Sequence, residues 1–246
     1  MTKLKKELES FQTIWENGFH CGWDTTRNQS GLEDFIKEDM NKRSNPKRSN
    51  LKVCLEIGCG GGQWSKFIYN LNVFDKIYCI DALSAKHNNF WQYVGEEAKD
   101  KIEYIKVEDF ELNFIKEKEI DYVFSYDVFC HISLSGIEQY IKNLRLKAND
   151  NARFCIMFAD PYKYSKSEPH NFLYQQQIWT QRKKRNIEVD ECCKILIDDC
   201  DTDPEAGRWY WIGNDNFKSL LNKYNYKIIK EDLDIDRTNP ISYFTL

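Results

Sequence analysis

The sequence predicts an α/β domain, doubly wound around a mostly parallel sheet, and three observations predict it. From residue 51 to 159, short β-branched apolar runs alternate with amphipathic stretches, the rhythm of βαβ units joined by right-handed crossovers. The first run, LKVCLEI, ends in three alternate glycines and passes at once into the amphipathic QWSKFIYNL, which reads as strand, tight turn and helix. Two further strand-like runs, YKIIKEDLDI and ISYFTL, close the chain and bring the strand count to seven.

Taken in order, Leu4, Leu8, Phe11, Ile14 and Trp15 share one helical face. A break at GFHCGWDTTRNQSG precedes a second helix near Leu32 to Met40, and NKRSNPKRSN reads as a polar linker. The core then predicts strand 51–57, helix 63–71, strand 76–81, helix 84–94, strand 102–107, strand 120–126, helix 133–147 and strand 152–159. Residues 160–205 break the rhythm with long polar runs and few strand signals. A stretch of that kind between sheet strands reads as a cap over a site. A capped helix within WIGNDNFKSLLNKYNY leads to the last two strands. We therefore expect a single domain over 1–246, with 1–50 as a helical N-terminal cap or lid and 160–205 as an insertion cap.

Glycines are required where the backbone takes positive φ or lies against a ligand, and the helix after the turn directs unpaired N–H groups over it. A dinucleotide fingerprint would place its third glycine at position 63, where this chain has Gln63. That disfavours a dehydrogenase. The string Glu56-x-Gly58-x-Gly60-x-Gly62 resembles motif I of the class I S-adenosylmethionine (SAM) methyltransferases. Further features follow in order: the strand ending in Asp81-Ala82, and IEYIKV ending in Glu108-Asp109-Phe110. An acid at the end of the second strand is placed to accept hydrogen bonds from ribose hydroxyls.

The resemblance covers roughly residues 50 to 160 and implies a Rossmann-like sheet of seven strands, the seventh inserted antiparallel beside the fifth. It implies SAM as cofactor and S-adenosylhomocysteine as product. Glu56, Gly58, Gly60 and Gly62 would lie beneath the methionine portion, and Asp81 and Ala82 at the ribose. Asp109 and Phe110 would lie at adenine, with Tyr126 at the edge of the fourth strand completing the cofactor set.

Asp127 and His131 are four apart in SYDVFCHIS and share a face if a helical turn begins there. The D-x-x-x-H pattern resembles that of phosphoethanolamine-type methyltransferases, which implies Asp127 as acceptor-orienting and His131 as general base. Packing and helix capping is the competing role for His131. A helix dipole beginning at His131 would favour neutral imidazole, and Asp127 would favour the charged form. His20 lies in the N-terminal break among aromatics, and Arg208 and Tyr210 lie in the aromatic run GRWYW. These three are candidate substrate-binding residues. Asp160-Pro161-Tyr162 reads as a strand-end turn. The acidic run Asp198 to Glu205 lacks the glycine and terminal glutamate of a calcium loop, so no metal is expected.

Net charge is −4 over 246 residues, so no global basic field exists to hold nucleic acid. The opening MTKLKKELES is charged, no segment reaches membrane-span length, and the nine cysteines lack zinc spacing. A cytoplasmic enzyme with reduced thiols and a small-molecule acceptor is expected, with no nucleic-acid or membrane partner. Its look is similar to methyltransferases acting on sugars or phosphorylated precursors of bacterial surface (capsule) polysaccharide. A small amine acceptor and a non-catalytic SAM-fold binding protein are the alternatives.

Overall fold

The computed structural model describes residues 3–16, 30–43, 52–172, 188–201 and 209–246. Seven strands form one sheet: β1 (Val53–Ile57), β2 (Lys76–Asp81), β3 (Ile102–Lys106), β4 (Ile120–Ser125), β5 (Ala148–Met157), β6 (Lys227–Lys230) and β7 (Ile241–Thr245). Their spatial order is β3-β2-β1-β4-β5-β7-β6. β1 to β5 pair in parallel, and β7 runs antiparallel to both β5 and β6. This is the expected doubly wound sheet with an inserted antiparallel strand. β1 is buried at every position, which suits a central parallel strand covered on both faces.

The helices are α1 (Lys3–Glu16), α2 (Ser30–Arg43), α3 (Gln63–Asn70), α4 (Phe90–Val94), α5 (Leu134–Lys147), α6 (Pro161–Ser167), α7 (Val189–Asp198) and α8 (Asn214–Lys223). α5 and α8 bury Ile137, Ile141, Leu144, Phe217 and Leu221 against one face of the sheet. On the other face α2, α3 and α4 bury Leu32, Ile36, Ile68, Phe90 and Val94. The chain leaves β1 toward β2 and β3 on one side and returns to β4 and β5 on the other. β1 and β4 therefore flank the switch point, beyond whose carboxyl ends ligands bind in open α/β sheets. Because β7 is antiparallel, its start at Ile241 pairs with Met157 at the end of β5, which returns the β6–β7 loop to that same edge.

Three expected elements differ, among them the run YKIIKEDLDI, which pairs only over Lys227–Lys230. The helix expected over 84–94 is reduced to α4, followed by a 3-10 turn over Glu96–Asp100. Asn89 takes φ 50°, and the Asn88 amide donates to the Tyr104 hydroxyl at 2.9 Å, so local side-chain bonding competes with the helix. β5 begins at Ala148, four residues before the expected 152.

In the insertion, α6 and α7 pack on each other and enclose Cys130, Ala159, Phe172, Cys192, Cys193, Leu196 and Trp211. Asp160 fixes this arrangement. One carboxylate oxygen accepts from Lys163 N–H at 2.7 Å, capping α6, and the other from Asn214 N–H at 2.7 Å, at the start of α8. Asp160 is buried, so both bonds are shielded from water. Asp160→Ala should lower stability by about 2–3 kcal/mol, the sum of two lost caps, in urea unfolding. Asp160→Asn should recover part of that loss.

Candidate active site at the carboxyl edge

The turn after β1 has Gly58 at φ 73°, Gly60 at φ 49° and Gly62 at φ 90°. The N–H groups of Gly58 and Cys59 donate to Ile80 O at 2.8 and 3.1 Å, which ties the turn to β2. At Gly58 a Cβ would lie 2.2 Å from a Val128 methyl, so this glycine permits the close approach of the chain leaving β4. At Gly60 a Cβ would meet no heavy atom within 4 Å. That position faces open space.

Asp81 at the end of β2 grips this turn. Its carboxylate accepts from Gly60 N–H and from Leu83 N–H, both at 2.8 Å. Burial pushes its pKa up, against the backbone donors of Leu83 and Gly60. Glu56, on the same face of the sheet as Asp81, is tied to α3 and β2 rather than to the turn itself. It is buried and accepts from the Ser65 hydroxyl of α3 at 2.5 Å and from the Cys79 thiol at 3.6 Å. Burial pushes its carboxyl up to about 8 despite those two donors. Glu56 therefore braces the turn from beneath α3.

At the end of β3, Val107 N–H donates to Asp81 O at 2.8 Å. Asp109 is exposed, and its carboxylate accepts from Glu111 N–H at 2.9 Å. Phe110 is buried, with its ring edge-on to Tyr140 and its carbonyl accepting from the Asn143 amide at 2.7 Å. Ala82 is half-buried, and its carbonyl accepts from the Gln12 amide at 2.9 Å.

Beyond β4, Tyr126 donates its hydroxyl to Asp236 of the β6–β7 loop at 2.9 Å. Burial would raise the Asp236 pKa, but the N–H groups of Asn239 and Thr238 and the hydroxyls of Thr238 and Tyr126 hold it below the usual carboxylate range. Asp127 is exposed with φ 62°, a left-handed conformation that non-glycine residues reach at a cost and that concentrates at functional sites. His131 ends a single 3-10 turn, Phe129–His131, and its ring meets Trp209 edge-on at 5.2 Å. Tyr210 N–H donates to Cys130 O at 2.7 Å. The loop after β4 and the aromatic run after the insertion, expected separately, thus come together. Tyr210 itself is buried in the core.

The expectation that His131 opens a helix is corrected. α5 begins at Leu134, with Ser133 as its N-cap accepting from Gly136 N–H. The N-terminal donors of α5 already serve carboxylates: Ser133 N–H and hydroxyl donate to Glu7 at 2.5 and 2.6 Å, and Ser135 N–H donates to Asp201 at 2.9 Å. The dipole argument for His131 is thereby removed. His20 and Arg208 lie outside the described residues. Sequence reasoning missed Glu7, Gln12 and Asp236. Only Asp236 carried a local signal, the turn-forming Asp236-Arg237-Thr238-Asn239.

A family model described as "Methyltransferase domain" matches residues 29–231. No curated protein matches the sequence. Among solved structures, magnesium protoporphyrin IX methyltransferase from Synechocystis, with bound S-adenosylhomocysteine, is similar at 13% identity and TM-score 0.57, over 98% of this chain and 94% of that one. A Pyrococcus horikoshii protein is similar at 15% identity and TM-score 0.61, over 100% and 99%. A SAM-dependent methyltransferase, so described as putative, from Methanococcus maripaludis shares 13% identity and TM-score 0.52, over 100% and 94%. These likenesses concern the fold, while the family model concerns the sequence itself. The chain belongs to the methyltransferase domain family. It is a class I SAM-dependent methyltransferase.

The buried Glu56 has a pH consequence. Its folded pKa lies above that of an exposed glutamate, so the folded chain holds more protons than the unfolded chain between roughly pH 4.5 and 8. Its contribution to stability is full below that window, falls as pH rises through it and levels off above. Glu56→Gln should flatten this loss and leave the variant the more stable form at pH 8 by a few kcal/mol, since one pKa unit is worth about 1.4 kcal/mol. Paired denaturation curves across that range would check it.

Proposed function

We propose that this methyltransferase acts on a small-molecule acceptor, most simply a hydroxyl oxygen of a sugar or of a phosphorylated precursor of a bacterial surface polysaccharide. The observation that carries the reading is the carboxyl edge beyond β4. There Val128 packs on Gly58 of the glycine turn beside Asp127 in its left-handed conformation, and His131 meets Trp209 of the cluster that includes the helical insertion. The net charge of −4 supports a small acceptor over nucleic acid. Among the described residues no helix is long and apolar enough to cross a membrane.

The residues fit the cofactor. Open space at Gly60 admits close approach to the backbone, and the Asp81 carboxylate beside it suits ribose hydroxyls. Glu56, Gly58 and Gly62 would shape the floor under the methionine portion, with Ala82 and Asp81 at the ribose. Asp109 and Phe110 would meet adenine, and Tyr126 would close the methionine side. Bound there, SAM supplies an activated sulfonium methyl. The chain has then to align the acceptor and exclude water, and alignment alone is worth several kcal/mol, up to about 7–11. Asp127 would orient the acceptor, and His131 would take the hydroxyl proton at a ring nitrogen. His20 and Arg208 remain the acceptor-binding candidates of this reading, with Tyr210 joining them only from its buried position in the core.

His131→Ala should reduce turnover by about 10²–10⁴-fold with SAM affinity nearly intact, because the loss falls on proton transfer. A radiolabelled methyl-transfer assay over hydroxylated acceptors, nucleotide-activated sugars among them, and over small amines tests the acceptor class. Near-normal turnover of His131→Ala across the pH range, or labelling of amines alone, would overturn the oxygen-acceptor reading.

A further inference from the structure

α1 adds nothing to the sheet, yet two of its polar side chains reach the places that frame the cofactor residues named above. The β2–β3 ladder ends where Val107 N–H donates to Asp81 O. The next carbonyls, Ala82 O and Val107 O, lie past the last strand-to-strand rung. Gln12 Nε2 sits 2.9 Å from the first and 3.5 Å from the second. Its side-chain amide therefore adds one more donor across two strand ends that backbone pairing leaves short. Five residues earlier, Glu7 is 5% exposed. Its two oxygens accept from Ser133 N–H and Ser133 Oγ at the start of α5, where a carboxylate gains from charge-assisted bonds and the helix dipole. Leu8, between them, is buried in the same core cluster as Val107, Phe110 and Ile132. The contacts of α1 thus fall on the neighbours of Asp81, of Asp109 and of His131.

We propose that Gln12 and Glu7 are positioning residues of the cofactor site. Gln12 holds the carbonyl ends of β2 and β3 at a fixed separation, so that Asp81 and Asp109 face one adenosyl group. Glu7 fastens the same helix to α5. Together they make α1 a hydrogen-bonded closure that governs how fast S-adenosylhomocysteine leaves. This inference rests on the assignment of Asp81, Ala82 and Asp109 to the cofactor.

The test is stopped-flow displacement of S-adenosylhomocysteine from the full chain, followed by intrinsic fluorescence, beside thermal unfolding of each variant. Gln12→Ala and Glu7→Gln should release it about three to ten times faster than wild type, the effect of one or two lost hydrogen bonds. Gln12→Glu should release it faster than Gln12→Ala, because a carboxylate cannot donate to two carbonyl oxygens. A helix that merely packs would lower the melting temperature and leave release unchanged. Release within about twofold of wild type in both Gln12 variants, less than one lost hydrogen bond would give, overturns the proposal. Asp81→Ala separates the two layers of the argument. If it leaves affinity intact, the cofactor assignment itself fails; if it weakens binding while the α1 variants release normally, only the role of α1 falls.

Discussion

The Asp81 carboxylate bridges the glycine turn and the end of β2, with one oxygen on Gly60 N–H and the other on Leu83 N–H. Much of the candidate site depends on that bridge. The turn can lie flat against β2 only because its glycines take positive φ, and it can meet the chain leaving β4 only because Gly58 has no side chain. Burial works against the charge on Asp81, and the two backbone donors offset it. A carboxylate held in this way is oriented before any ligand arrives, so less ordering is left to accompany binding.

Remote segments converge on the same edge. α5 begins beside the β4 loop, and two carboxylates far apart in sequence, Glu7 and Asp201, accept from its first N–H groups. Antiparallel β7 brings Asp236 to Tyr126. Asp160 caps α6 and α8 together, which fixes where the insertion leaves the sheet and where the aromatic run returns beneath His131. A methyltransferase needs its donor site rigid and its acceptor site enclosed. On the proposed reading, the parallel strands would supply the first and these crossing hydrogen bonds the second.

The sheet was legible in the sequence because its signals are local: alternating apolar runs, alternate glycines and acids at strand ends. The same holds for the place of Asp81 at the end of β2. Glu7 was not legible, because it acts on Ser133 at a separation of 126 residues, and its own surroundings in sequence are those of an ordinary charged helix. Gln12 was hidden in the same way, with a partner 70 residues distant, whereas the turn at Asp236 was legible but not its partner Tyr126, 110 residues away. The helix expected over 84–94 failed for a local reason, since the turn preference of Asn88-Asn89 outweighed the apolar periodicity. The helix-dipole argument for His131 failed because a start three residues early on paper is a different electrostatic environment in space.

On the proposed reading, the glycine turn and Asp81 form a SAM site in which the space over Gly60 belongs to the ligand. Gly60→Ala tests it most directly. The added methyl would meet no protein atom within 4 Å, so the fold should lose only the cost of a left-handed alanine, about 1–2 kcal/mol. Calorimetric titration of S-adenosylhomocysteine into this variant, at matched folded fraction, should show binding lost or weakened at least tenfold (about 1.4 kcal/mol). Wild-type affinity in a folded Gly60→Ala chain would contradict the account.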